Sequence, residues 1–168
     1  LADILYPGNG NSCDYYENMY PERNLPEGAM VTRFAPSPTG YLHLGGVFQV
    51  LVDERLAKQS GGIFMLRIED TDNKREIEGG IEAILDGIAS VGIHADEGVG
   101  YNGDSGAYGP YRQSRRTEIY RTFAKRLVAE GKAYPCFCSE ERLDEMRSIQ
   151  EAAKENPGYY GKYAACRN

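Results

Sequence analysis

Apolar residues along the chain change period several times, and those changes predict its elements. Residues 1–29 show little periodicity, apart from Tyr15, Tyr16, Met19 and Tyr20, which predict one short helical turn laid on the core. A strand is predicted from Met30 to Ala35, and Pro36 and Pro38 forbid its continuation. A helix follows from about Gly46 to Gln59, with Val47, Phe48, Val50, Leu51, Val52 and Leu56 as a broad apolar face. Ser60-Gly61-Gly62 is the glycine signal that ends it. Ile63, Phe64, Met65, Leu66 and Ile68 form a near-continuous apolar run, the pattern of a parallel strand covered on both faces. A second helix is predicted from near Asn73, capped by Thr71 or Asp72, with Ile77, Ile81, Ile84, Leu85, Ile88 and Val91 at the helical period. Strand, helix, strand, helix in this order predicts an α/β fold built on a doubly wound parallel sheet.

Beyond it, residues 94–111 read as a Gly- and Tyr-rich loop. A helix from about Gln113 to Glu130 carries Ile119, Tyr120, Phe123 and Leu127 on one face. Ala133 to Phe137 is predicted as a short strand, and Ser139 opens a polar helix to about Lys154. A turn at 156–161 precedes Cys166, and there is no internal repeat.

Composition narrows the class. Of the 168 residues, 41% are hydrophobic and 26% charged, as in ordinary globular chains. No run approaches the roughly 18 apolar residues of a membrane span, and no secretory signal opens the chain. Four cysteines are too few for a disulfide scaffold. The expectation is a soluble, cytoplasmic protein with a single core. The net charge of −6 argues against a general nucleic-acid coat. Residues 1–29 hold five acids against Arg23, so the rest carries −2 and leaves room for a local basic face. Leu1 stands where a Met would start a chain, and Asn168 closely follows Cys166, so a piece of a longer protein is expected.

Candidate chemistry concentrates between Arg33 and Gly46. A strand ends, a Pro/Gly loop turns, and His43 precedes Gly45 and Gly46 where a helix begins. Such glycines admit close approach to the backbone, and unpaired helix N–H groups attract anions. The carboxyl end of an open α/β sheet is where ligands bind. A sharp strand-to-helix turn around a buried histidine fits the same residues, and the pattern alone leaves both open.

The run Val31-Thr32-Arg33-Phe34-Ala35-Pro36-Ser37-Pro38-Thr39-Gly40-Tyr41-Leu42-His43-Leu44-Gly45-Gly46 closely resembles the start of the glutamyl-tRNA synthetases, class I enzymes of bacterial type. Leu66-Arg67-Ile68-Glu69-Asp70-Thr71-Asp72 is similar to their second signature, at the expected distance. Asp96-Glu97-Gly98, Tyr111-Arg112-Gln113-Ser114 and Ala133-Tyr134-Pro135-Cys136-Phe137-Cys138 also resemble the family. Tyr20 to Gly28 resembles the amino-terminal extension of one bacterial branch, so the likeness spans nearly the whole chain. One departure is Gly46, where the general class I motif has a second histidine.

The resemblance implies a Rossmann-like nucleotide-binding sheet followed by the start of an inserted acceptor-binding subdomain. Residues 1–29 are then the extension, 30–111 the first half of the catalytic domain and 112–168 a helix with the start of that subdomain. It implies a ligase that activates L-glutamate with ATP and Mg²⁺ and transfers it to tRNA(Glu), acting as a monomer. His43, Gly45 and Gly46 take the catalytic place, and with Thr39 they bind ATP. Arg33, Ala35, Ser37 and Glu69 are implied for glutamate, Arg33 facing its carboxylate and Glu69 its ammonium. A mutual Arg33–Glu69 salt bridge is the alternative. For Asp70 and Asp72, helix capping is preferred to a ligand role.

Arg112, Arg115, Arg116, Arg121, Lys125 and Arg126 face the single acid Glu118 in the next helix, as a tRNA-phosphate face or as a solvated one. Cys136-x-Cys138 and Cys166 resemble the zinc site of many glutamyl enzymes. Zinc needs four ligands, and likeness to the paralogue that glutamylates a queuosine base suggests Tyr160 or Tyr163 as the fourth. Three reduced core cysteines are the alternative, and Cys13 is read as a free thiol. The family's lysine-containing signature and an anticodon-binding domain are missing, so this chain alone is expected not to complete aminoacylation. Other readings are the queuosine-modifying paralogue, which the acidic extension and the 27 residues between Cys138 and Cys166 disfavour, and a non-catalytic nucleotide- or RNA-binding fragment. A glutaminyl enzyme would differ at Ala35, Ser37 and Thr39.

Overall fold

β1 (Val31–Phe34) and β2 (Ile63–Leu66) pair in parallel, with Val31 opposite Ile63 and Phe34 opposite Leu66. This is seen in a computed structural model, which describes residues 1–8, 10–72 and 74–167. α3 (Leu44–Ser60) connects the two strands and packs on both. It ends where Gly61 turns left-handed at φ 69° and its N–H returns to the Ala57 and Lys58 carbonyls. β3 (Glu97–Gly100) adds to β2 in parallel, and β4 (Gly103–Ser105) turns back antiparallel, giving the order β1-β2-β3-β4. The expected α/β class with a mostly parallel sheet is therefore present. The segment 94–111, read from sequence as a loop, instead supplies two strands.

Two compact units divide the chain, Gly10–Thr122 and Leu1–Asn9 with Phe123–Asn168. The first holds the sheet. Its core joins Phe34, Phe64, Leu66 and Val99 of the strands to Val50 and Ala57 of α3. Ile81, Ile84 and Ile88 come from α4 (Gly80–Ser90), three and four residues apart on one face.

α4 begins later than the sequence pattern suggests. The predicted start near Asn73 lies outside the described residues. Asp72 does not cap a helix but pairs with Arg75 at 2.6 Å, and the Ile77 amide donates to the Pro38 carbonyl at 3.0 Å. With that amide committed to the loop, the helix starts behind Gly79.

α3 also departs from its predicted face. Val50 is fully buried, but Leu51, Val52 and Leu56 are exposed and Phe48 is 67% exposed. Replacing Phe48 by serine is therefore expected to change stability by no more than about 0.5 kcal/mol. Val50→Ala should cost about 2 kcal/mol, a difference that urea unfolding of the two variants resolves. In α2 (Cys13–Met19) Tyr16 is buried as expected of a turn on the core, whereas Tyr15 and Met19 are exposed.

The second unit contains α1 (Ala2–Leu5), the end of α5 (Thr117–Ala129) and α6 (Glu140–Ala152). Ser139 caps α6 by accepting the Arg142 amide, as its sequence position suggests. The Gln150 side chain, fully buried, donates to the Gly158 carbonyl and accepts its amide, which folds the tail back on α6. Ala133 to Phe137 is extended but is not a strand: no ladder partner lies beside it among the described residues. No described helix is long and apolar enough to cross a membrane.

Candidate active site

The loop after β1 is held from below by backbone hydrogen bonds. The Arg67 amide donates to Phe34, the Glu69 amide to Pro36 and the Ile77 amide to Pro38, each at 2.9 to 3.0 Å. Two prolines within three residues limit the loop's own freedom, so it arrives rigid at the start of α3. There it walls a cavity of about 580 Å³. Ala35, Ser37, Thr39, His43, Gly45 and Gly46 all line that cavity, with Gln49 and Tyr41 beside them.

His43 is the N-cap of α3, and its Nδ1 accepts the Gly46 amide at 3.3 Å. An imidazole accepting at Nδ1 carries its proton at Nε2, which remains able to donate. Gly46 has the Leu42 side chain 2.6 Å from where a Cβ would stand, so the absent side chain keeps the helix start close to the loop. The helix dipole and the first-turn amides add positive potential at this end of the cavity.

Arg33 and Glu69 do not line the cavity, nor do they pair with each other. Glu69 Oε1 takes a hydrogen bond from Arg67 Nη2 at 2.6 Å. Arg33 is exposed on β1. Burial raises the Asp53 carboxyl above its usual range, and the nearby Arg33 charge opposes that rise. The Asp53 Oδ2 is buried and has no hydrogen-bond partner among the described residues. Arg67 is the residue that reading by sequence missed. Its place two positions before Glu69 on an extended segment put both side chains on one face.

Asp70 accepts both the amide and the hydroxyl of Ser114, at 2.8 and 2.7 Å, and so fixes the 3-10 turn Gln113–Arg116. The cationic helix is partly engaged within the protein. Arg116 donates to the Pro110 carbonyl at 2.8 Å, Lys125 pairs with Asp3 at 2.8 Å, and the Arg126 guanidinium lies 4.8 Å from the centre of the Phe123 ring.

The cysteines converge in the second unit. Ligand atoms of Cys136, Cys138 and Cys166 lie within 4.8 Å of one another, and the Cys138 and Cys166 sulfurs are 3.5 Å apart. The Tyr159 hydroxyl is 3.6 Å from Cys138 Sγ and accepts the Cys166 amide at 3.0 Å. Tyr160 points elsewhere, donating to the Asn156 carbonyl at 2.6 Å, so Tyr159 replaces it beside the thiols. The Tyr159 hydroxyl, hydrogen-bonding to the thiol, is foremost in pulling Cys166 down to about 7, toward the thiolate form that binds metals. Sulfurs bound to one tetrahedral zinc at about 2.3 Å stand about 3.8 Å apart, and the Cys138–Cys166 pair at 3.5 Å is close to that spacing. With the Tyr159 oxygen the three sulfurs form a group of four candidate donors. Hydrogen bonds with the same thiols, that of Cys136 foremost, hold the Tyr159 phenol well above its usual range and therefore protonated.

Residues 29–167 match a family described as tRNA synthetases class I (E and Q), catalytic domain. The whole chain is similar to a glutamate–tRNA ligase of Acetivibrio thermocellus at 57% identity and to one of Clostridium beijerinckii at 54%. It spans 31% of the length of each of these curated relatives. A solved glutamate tRNA ligase from Elizabethkingia meningosepticum, in complex with its amino acid, superposes with a TM-score of 0.62 at 42% identity. That match covers 77% of this chain and 25% of the other. A glutamate-tRNA synthetase from Elizabethkingia anophelis gives 0.63 at 40% identity, over 76% of this chain and 25% of its own.

Proposed function

The chain belongs to the class I tRNA synthetase catalytic domains for Glu and Gln, and from that premise we propose that it is the amino-terminal catalytic part of a glutamate–tRNA ligase. The observation that carries this reading is the cavity after β1, with a donor-ready His43 at the mouth of a helix N-terminus. Activation of a carboxylate by ATP displaces pyrophosphate at the α-phosphorus, and it asks of a protein mainly positioning and stabilisation of phosphate charge. His43 Nε2 and the first-turn amides of α3 meet those phosphates. Gly45 and Gly46 let the nucleotide lie close to the backbone, and Thr39 offers a hydroxyl in the same loop. Mg²⁺ accompanies the ATP phosphates and spreads their charge.

Ala35 and Ser37 line the place for glutamate. Arg33 of β1 serves its carboxylate and Glu69, three residues beyond the end of β2, its ammonium, from positions outside the cavity wall. Arg67, which holds Glu69 at 2.6 Å, sets the orientation of that carboxylate. The acceptor is tRNA(Glu), approached through the cation-rich stretch from Arg112 to Arg126. Protein synthesis in the cytoplasm is the setting, with the protein acting as a monomer. Residues 1–29 are an extension, 30–111 the first half of a Rossmann-like catalytic domain and 112–168 the start of an inserted acceptor-binding subdomain. The start of the family match at residue 29 supports the first boundary, and the exposed apolar side of α3 supports a half-built layer. Cys136, Cys138, Cys166 and Tyr159 would hold a structural zinc, which would tie the subdomain together.

Titration calorimetry with a non-hydrolysable glutamyl-adenylate analogue tests the site. Binding in the micromolar range is expected, and His43→Asn, which keeps an N-cap acceptor but removes the imidazole donor, should weaken it about tenfold. Silence at high micromolar concentration would leave a structural fragment without this site. ATP–pyrophosphate exchange by the isolated chain is expected to show no turnover, because the lysine-containing signature is not among its residues. Measured turnover would overturn that expectation.

A further inference from the structure

Residues 20–23 precede the family's matched region, which starts at residue 29, and lie in the Gly10–Thr122 unit. The Arg23 guanidinium forms a two-pronged ion pair with Glu97, Nη1 to Oε2 at 2.9 Å, between side chains that are 17% and 7% exposed. The same guanidinium lies over the Tyr108 ring, its central carbon 3.7 Å from the ring centre. Tyr108 donates through its hydroxyl to the Pro21 carbonyl at 2.9 Å, and Tyr20 donates to the Gly109 carbonyl at 2.6 Å. A forked cation, two hydroxyls and two rings thus grip one short segment, 108–109, and the first residue of β3.

That segment leads directly to the cavity's support. Tyr111, 1% exposed, accepts the Tyr108 amide at its hydroxyl, and its carbonyl takes the Ile68 amide at 2.9 Å. The Gln113 amide returns to the Ile68 carbonyl at 2.9 Å, and the next residue, Glu69, donates its amide to Pro36 in the cavity loop. We propose that residues 20–23 are a clasp, and that Arg23 is a positioning residue which, through Glu97 and Tyr108, fixes the end of β2 against the ligand-binding loop. The binding consequence rests on the proposed function, whereas the clasp does not.

Hydrogen exchange on the full 168-residue chain tests it. In Arg23→Met, exchange of the Ile68 and Gln113 amides should accelerate at least about tenfold relative to the Val50 amide in α3, because a local tether is lost. The variant paired as Arg23→Met with Glu97→Met leaves no buried charge without a partner and still lacks the tether, so it should keep the accelerated ratio; recovery would trace the effect to the orphaned Glu97 charge and overturn the clasp. An unchanged ratio in Arg23→Met means general stabilisation alone and overturns the clasp. Should Arg23→Met not fold, Tyr20→Phe removes one hydroxyl, and its ratio should rise about threefold; no rise overturns the proposal equally. The glutamyl-adenylate analogue should bind Arg23→Met about tenfold more weakly. Unaltered affinity beside an altered exchange ratio overturns the positioning role, while absence of binding by the unmodified chain counts against the proposed function and leaves the exchange result to decide the clasp.

Discussion

Gly98→Ala is expected to destabilise the Gly10–Thr122 unit by more than about 4 kcal/mol, in the range reserved for the most disruptive single substitutions. Two independent penalties meet at this position. Gly98 has φ +132°, a conformation that costs an L-residue about 1–3 kcal/mol. A Cβ there would also stand 2.1 Å from the Leu66 carbonyl oxygen and 2.8 Å from that residue's C and N. Those are backbone atoms of β2, so no rotamer change relieves the overlap. Gly98 is opposite Leu66 in the register, and the β2–β3 pairing consists of that pair and Met65 with Glu97. Pushing β3 away therefore opens the middle of the sheet and exposes Leu66 and Val99. Gly92→Ala separates the terms: φ is +73°, but nothing lies within 4 Å, so it should cost about 1 kcal/mol. Thermal unfolding followed by circular dichroism should show a fall of some 10–20 °C or loss of the transition for Gly98→Ala, and a few degrees for Gly92→Ala. Similar melting of the two variants would show that β3 yields easily and that the short ladder carries little.

The reason β3 escaped sequence reading is visible in the same residues. Glu97-Gly98-Val99-Gly100 offers one apolar side chain and two glycines, which is a turn composition and not a strand one. Tertiary pairing with β2 overrides it. β1, α3 and β2 were legible because prolines and glycines punctuate an apolar pattern at each end, and α6 because Ser139 sits where a cap must. The exposed side of α3 was not: periodicity shows which residues share a face, but not whether anything covers it. At the site, the glycines and His43 followed from local strand-loop-helix logic. Pairing of Arg23 with Glu97, 74 residues apart, leaves no local signature. Glu69 chose Arg67 over Arg33 through side-chain directions that a strand's alternation allows but does not rank. Tyr159 and Tyr160 are neighbours with opposite directions, and spacing to Cys166 does not distinguish them.

Removal of the proposed zinc is expected to have the largest effect of all, because the described residues of 123–167 bury little apolar surface. Among its described residues Ala164 is the buried apolar one, accompanied by the polar Gln150. Leu127, Tyr134, Phe137, Ile149 and Tyr160 are all exposed. So small an apolar core does not offset the roughly 1–2 kcal/mol of backbone entropy lost per ordered residue. A structural zinc contributes about 10–16 kcal/mol of apparent binding energy near neutral pH, and that energy becomes folding energy when the ligands are brought together by the fold. The purified chain is therefore expected to carry about one zinc by elemental analysis. Chelation, or Cys138→Ser, should remove it and abolish the slow-exchanging amides of α6, leaving those of α3 protected. Tyr159→Phe should retain the three thiolates and bind zinc about 10–100-fold more weakly, whereas Tyr160→Phe should match the unmodified chain. Cobalt substituted for zinc supplies a direct readout, since a tetrahedral set of three sulfurs and one oxygen absorbs intensely in the visible and Tyr159→Phe should alter that band. Zinc-free protein with an intact α6 would assign the three thiols to ordinary reduced cysteines, and the helix would then owe its stability to the Gln150–Gly158 clamp.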